Sequence, residues 1–123
     1  MRFVTDRKRA EGDGAAHSGT EHHWFMTVSA VALVFLVPAF LFIVGRALGS
    51  GYENVIATFS RPFPAILTAL ALFVGMVHFH KGARVAIEDY ARGTWRKGLI
   101  ILAIGVSYAV IATGLFALAK IAL

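Results

Sequence analysis

The chain has 123 residues, of which 58% are hydrophobic and 15% are charged, and its formal net charge is +5. This length allows one small membrane domain and leaves no room for a separate soluble catalytic domain. The sequence contains no cysteine, which excludes disulfides, thiolate-ligated haem and any iron–sulfur cluster bound by cysteines of this chain.

Residues 1–23 are polar and are predicted to form a flexible cytoplasmic head, followed by an anchor domain over residues 24–123. The head has no short apolar core with a cleavage site, so it does not have the pattern of a secretory signal. Its acidic residues argue against a mitochondrial transit peptide. Trp24 then begins the apolar part of the chain, in the position of an interfacial aromatic anchor.

Three stretches of the chain contain no Asp, Glu, Lys or Arg, namely 25–45, 62–80 and 98–119. Each is about long enough to cross a hydrocarbon layer of roughly 30 Å as a helix. The sequence therefore predicts an all-α membrane protein with three transmembrane helices, at about 24–47, 62–91 and 95–121.

Proline and glycine mark the predicted boundaries and one irregularity. Pro38 is expected to kink the first helix, because it removes one backbone hydrogen bond. The glycines of 49–51 predict a break after the first helix, and Pro62 suits the first turn of the second helix. Gly93 is predicted to separate the second helix from the third.

Basic residues predict the orientation of the chain. Four precede the first helix and five surround the second connection, whereas the first connection has two and the C-terminus has one. By the positive-inside rule the N-terminus lies in the cytoplasm and the C-terminus in the periplasm. This uneven distribution of basic residues explains the positive net charge. No nucleic-acid partner is expected, because binding one would need a basic face on a soluble domain. The prediction is a multi-pass protein of a bacterial inner membrane.

One histidine, His78, lies within the second transmembrane segment. Intramembrane ionisable groups are costly and are usually functional. Two interpretations fit His78: a hydrogen bond to a neighbouring helix, or axial ligation of haem, which needs an imidazole whose other nitrogen is held by a partner. His80 faces about 200° away and does not suit ligation. Eleven helical steps return to nearly the same face, which predicts one seam. The seam consists of His78, Gly82, Val85 and Asp89.

Three residues that follow His78 have both a structural and a functional interpretation. Gly82 suits close helix packing or space for a flat macrocycle against the backbone. Lys81 and Arg84 are ordinary orientation-determining charges, or contacts to lipid headgroups. They are also the candidates for pairing with the two propionates of a haem.

Asp89 and Tyr90 lie where the second helix is expected to leave the membrane. A tyrosine at this depth is commonly an interfacial anchor. Its phenol can also donate a hydrogen bond to the carbonyl oxygen of a quinone, and the neighbouring carboxylate can accept protons or hold an arginine of another chain.

These residues resemble the signature of a known family, the hydrophobic membrane anchor subunit of succinate dehydrogenase, of the small D type of respiratory complex II. The signature has the form His-x3-Gly-x6-Asp-Tyr, and His78, Gly82 and the run 85–90 are similar to it at every spacing. Residues 18–24 and 30–33 also resemble the first helix of the family. The resemblance covers about residues 18–121.

The resemblance implies a role in a multi-subunit oxidoreductase that joins the tricarboxylic acid cycle to electron transport. His78 would be one of two axial ligands of a b-type haem, the other coming from a cytochrome b membrane subunit. Tyr90 would hydrogen-bond ubiquinone, with Asp89 beside it. Electrons would arrive from succinate through flavoprotein and iron–sulfur subunits on the cytoplasmic face. Surrounded by membrane lipids, the chain would not contact succinate and would not be catalytic alone.

Two departures from the family pattern and two alternatives accompany this resemblance. Relatives usually carry Gln-Arg where this chain has Met26 and Thr27, and the segment with Lys81 and Arg84 is more basic than usual. One alternative is the anchor of a quinol:fumarate reductase, which moves electrons in the opposite direction. The other is a cofactor-free assembly or channel-like membrane protein, in which His78 is structural.

Overall fold

The computed structural model describes residues 3–12, 14 and 18–123, so residues 1–2, 13 and 15–17 of the predicted head lie outside the described residues. Within the described part, the chain forms helices joined by short connections and contains no strand. The helices are α1 (Asp6–Glu11), α2 (Gly19–Ala47), α3 (Tyr52–Phe59), α4 (Pro62–Tyr90) and α5 (Gly93–Ala122).

The helices α2, α4 and α5 are long and apolar enough to cross a membrane, which confirms the predicted all-α membrane protein with three spans. They contain 29, 29 and 30 residues, so each is about 44 Å long and its ends extend beyond the hydrocarbon layer. The predicted boundaries are close, except that α2 begins at Gly19 rather than at 24. Glu21 lies in its first turn, where a negative charge is favourable, and the helix therefore starts in the polar segment.

The breaks between the long helices follow the glycines and prolines. Gly49 and Gly51 have φ values of 75° and 91°, and Gly93 has a φ of 62°, which side chains with a Cβ rarely adopt. Pro62 lies in the first turn of α4, as expected. Pro38 lies inside α2, which continues as helix to Ala47.

Two short helices were not predicted. Helix α1 lies in the polar head, where the Thr5 side chain caps its start by accepting a hydrogen bond from the backbone N–H of Lys8 at 3.2 Å. Helix α3 occupies the first connection, between the glycine break and Arg61. Both are too short to show the repeated apolar pattern by which a long helix is recognised.

Helix α4 lies between the other two long helices. Helices α2 and α5 each pack along α4, and in the described part of the chain they do not pack against one another. A glycine allows the close approach of α5, since a Cβ on Gly114 would collide with Leu72 of α4, whereas a Cβ on Gly75 would lie at an ordinary 3.8 Å from Leu33 of α2. Small residues at such positions are typical of membrane helix packing.

Very little of the chain is buried by the chain itself. Six described residues are buried: Ser29, Ala47, Ala65, His80, Ser107 and Ile111. Large apolar side chains are exposed along all three long helices, including Phe35, Phe73 and Phe116. Soluble monomers rarely expose contiguous apolar surface on this scale, so lipid or partner helices must cover it.

The contact at Gly114 gives a test of the α4–α5 packing. Gly114→Ala should lower the stability of the complex by about 1 kcal/mol, because the terminal methyl of Leu72 must leave its position to admit the new one. The measurement is the thermal midpoint of the solubilised complex. Gly105→Ala is the control, since a Cβ there meets nothing within 4 Å. In combination with Leu72→Ala the effect of Gly114→Ala should disappear, and an effect that persists would contradict the packing.

Candidate functional site

His78 lies on the face of α4 that packs against α2. Its Nδ1 atom is 2.7 Å from Oγ of Ser29, and the imidazole is half-buried. No hydrogen bond to the other ring nitrogen, Nε2, is found among residues 3–12, 14 and 18–123. The structure therefore gives His78 one held nitrogen and one that is open to a group from outside the chain.

Ser29 is the residue of this site that sequence reasoning missed. It lies in the middle of an apolar segment and is only 5% exposed. Their positions along the two helices gave a usable signal. Ser29 is ten residues from the start of α2 and His78 is twelve from the end of α4, which at 1.5 Å per residue places each about 15–18 Å from that helix end.

The predicted seam faces α2 along most of its length. A Cβ on Gly82 would lie 3.5 Å from the terminal methyl of Met26, an ordinary packing distance. Val85 lines a cleft that also includes Phe25 of α2. Asp89, the last seam residue, is exposed. Met26 thus lies beside Gly82, and a side chain with a Cβ would fit at this position.

Lys81 and Arg84 line a common cleft of about 620 Å³ between the start of α2 and the last turns of α4. Nζ of Lys81 lies 4.3 Å from the centre of the Phe25 ring, a cation–π contact. Nε of Arg84 is 2.8 Å from Oε1 of Glu88. Because this ion pair is exposed and its residues are one turn apart, it is weak, so Arg84 can exchange Glu88 for another anion at little cost.

Asp89 and Tyr90 form the end of α4 and face away from the rest of the chain. Tyr90 is 92% exposed, and both side chains lack hydrogen-bond partners in the described part of the protein. The cleft with Lys81 and Arg84 does not include them. These two residues therefore cannot enclose a ligand without a wall supplied by another chain.

His80 occupies the opposite side of α4, as its spacing from His78 predicts. It is 8% exposed, and its ring centre lies 5.6 Å from that of Tyr108 on α5. Its Nδ1 atom is buried without a hydrogen-bond partner in the described part of the chain. A group bound from outside can therefore reach His78 and not His80.

The described residues contain no cluster of three or more His, Cys, Asp or Glu side chains that would hold a metal ion. A single imidazole with one free nitrogen suits a metal that is shared with a partner chain, since the remaining ligands must come from elsewhere.

Comparison with known proteins identifies the family. Residues 1–113 match the family model for the succinate dehydrogenase/fumarate reductase transmembrane subunit. The chain belongs to this family. Two curated relatives agree with that assignment, and both are named succinate dehydrogenase hydrophobic membrane anchor subunit.

The relative from Paracoccus denitrificans is 54% identical over 123 residues, which cover 100% of this chain and 95% of that protein. The relative from Rickettsia bellii is 27% identical over 103 residues, or 83% of this chain and 82% of that protein. The chain is therefore a multi-pass membrane anchor subunit of the succinate dehydrogenase type, and a bacterial inner membrane fits both relatives. Membership of this family excludes an unrelated assembly or channel-like protein.

Proposed function

We propose that this succinate dehydrogenase anchor contributes one axial ligand to a b-type haem and completes a ubiquinone site, so that electrons pass from succinate to ubiquinone. The observation that carries the proposal is the 2.7 Å contact between Nδ1 of His78 and Ser29. An axial imidazole needs its non-ligating nitrogen held by a partner, and Nε2 is left for the metal. The direction of electron flow is proposed from the names of the two relatives.

The residues of this chain fit a shared haem. Haem, when bound, supplies a one-electron redox centre within the membrane. His78 would provide one axial nitrogen, and a cytochrome b membrane subunit would provide the other. Lys81 and Arg84 line a cleft on the cytoplasmic side of His78, where their charges suit the two propionates. Gly82 would lie beside this site, next to Met26 of α2.

Tyr90 and Asp89 would serve the quinone. Reduction of a quinone to a quinol takes two electrons and two protons, and negative charge develops on its carbonyl oxygens. The phenolic O–H of Tyr90 can donate a hydrogen bond to one such oxygen, which stabilises that charge. The Asp89 carboxylate, beside it and exposed to water, can hold a proton near the same oxygen. Along α4, Tyr90 is about 18 Å from His78.

The proposed orientation places this quinone end of α4 at the cytoplasmic face. The polar residues 1–23 would form a flexible head on the same side, and the iron–sulfur and flavoprotein subunits would dock there. The basic residues near both segments support this orientation.

Cysteine labelling tests the orientation against a background with no native cysteine. Glu53→Cys, on the exposed surface of α3, should react with a membrane-impermeant thiol reagent in intact spheroplasts. Ala10→Cys, on α1, should react only after the membrane is opened. The reverse pattern would place the N-terminus in the periplasm and remove Tyr90 from the cytoplasmic face.

His78→Ala tests the haem proposal. A six-coordinate haem loses one of its two ligands in this variant, so most of the b-type α-band should disappear from the reduced-minus-oxidised spectrum of the solubilised complex. His80→Ala is the matched control and should keep the band, because His80 is buried against α5. An unchanged spectrum in His78→Ala would reject the ligand assignment.

Tyr90→Phe tests the quinone proposal. Removing the phenolic O–H should slow quinone reduction roughly tenfold or more, since one donor to a developing oxyanion contributes on the order of 10²-fold. Succinate oxidation with a soluble artificial acceptor should stay at the wild-type rate. Tyr52→Phe, at the other end of the bundle, should change neither rate. Equal losses in both assays for Tyr90→Phe would assign Tyr90 a structural role instead.

A further inference from the structure

Ser29 makes three short contacts through one oxygen atom. Its Oγ lies 2.7 Å from the backbone oxygen of Phe25, 3.2 Å from that of Met26 and 2.7 Å from Nδ1 of His78. The side chain is 5% exposed, so these contacts are made away from water and lipid. A hydroxyl group carries a single hydrogen, which limits how the contacts can be made.

Counting hydrogens assigns the donors. Two oxygens approach to 2.7 Å only with a hydrogen between them, and a carbonyl oxygen can only accept. The hydroxyl hydrogen of Ser29 therefore points to the backbone oxygen of Phe25, the usual back-bond of a serine in a helix. The equally short contact to His78 needs a second hydrogen, and that hydrogen can come only from Nδ1. Oγ of Ser29 is then the acceptor, and Nδ1 of His78 carries the proton.

We propose that Ser29 is a positioning residue that selects the Nδ1–H tautomer of His78 and so leaves the lone pair of Nε2 free for the haem iron. This inference rests on the haem ligation proposed above. The opposite tautomer would place a proton on Nε2, where it blocks coordination. The backbone oxygen of Phe25 in α2 orients the hydroxyl group of Ser29, and that hydroxyl group determines which ring nitrogen of His78 can bind the metal.

Ser29 should also affect the electron density of the ligand. A hydrogen bond accepted from the non-ligating N–H raises the basicity of the imidazole, and a more basic ligand stabilises ferric over ferrous iron. Without Ser29, the described residues offer Nδ1 of His78 no other side-chain acceptor. The imidazole would then be a weaker donor, and its plane would no longer be fixed.

The test compares Ser29→Ala with Ser29→Thr and Ser107→Ala in the assembled, haem-containing complex. Ser107 is a matched control, because it is 0% exposed and makes the same back-bond to Ala103 at 2.7 Å. The readout is the haem midpoint potential from an optical redox titration. Ser29→Ala should raise the midpoint potential. Loss of an outer-shell partner of a metal ligand typically weakens metal binding by about tenfold or more, and a tenfold loss of affinity for the ferric state corresponds to about 59 mV for one electron. Ser29→Thr keeps the hydroxyl and should stay near wild type, as should Ser107→Ala.

Each remaining outcome has one meaning. Loss of haem in Ser29→Ala, with retention in Ser29→Thr, also supports the proposal. An unchanged potential in Ser29→Ala, or an equal shift in Ser107→Ala, overturns it. Haem loss in both Ser29 variants overturns it as well, because packing rather than the hydroxyl is then responsible. If His78→Ala keeps its haem, the proposed ligation itself fails; if it loses haem while Ser29→Ala is unchanged, only the role of Ser29 fails.

Discussion

The contact between His78 and Ser29 determines how α4 packs against α2, because a polar group inside the hydrocarbon layer is stabilised by a partner within the protein. Helix α4 carries two histidines on opposite faces, and each face packs against a different neighbour. His78 contacts a serine of α2, whereas the ring of His80 lies tilted against that of a tyrosine of α5, and its Nδ1 has no hydrogen-bond partner in the described part of the chain. Each histidine is thus covered by a different helix, and α4 lies between the two.

The site has the character of one half of an interface. The histidine offers one nitrogen outward, the tyrosine at the end of α4 is almost fully exposed, and the arginine in the nearby cleft is held by a weak exposed ion pair. Each of these groups has an unused capacity for binding, and none is enclosed. A ligand bound here would therefore be held between this chain and its neighbours, which agrees with membership of a multi-subunit family.

Much of this was predictable, because the bilayer enforces a simple length rule. The uncharged stretches located the three spans, and Gly93 located the junction between α4 and α5. The helical period correctly separated the faces of His78 and His80. The helical period does not identify the residue that His78 contacts, however, because the contact between His78 and Ser29 depends on the depth and rotation of both α2 and α4. The short helix α3 was missed because eight residues are too few for a periodic signal, and the Arg84–Glu88 pair competes with the predicted propionate role in a way that residue types alone do not reveal.

Because so few of the described residues are buried, the chain depends on its surroundings for a stable arrangement of its helices. The hydrocarbon layer favours each long helix as a helix, but with so few described side chains buried between the helices, their packing on one another contributes little free energy. A newly inserted copy therefore exposes most of its large apolar side chains to lipid, and its three helices should keep one fixed arrangement only once partner helices pack against them.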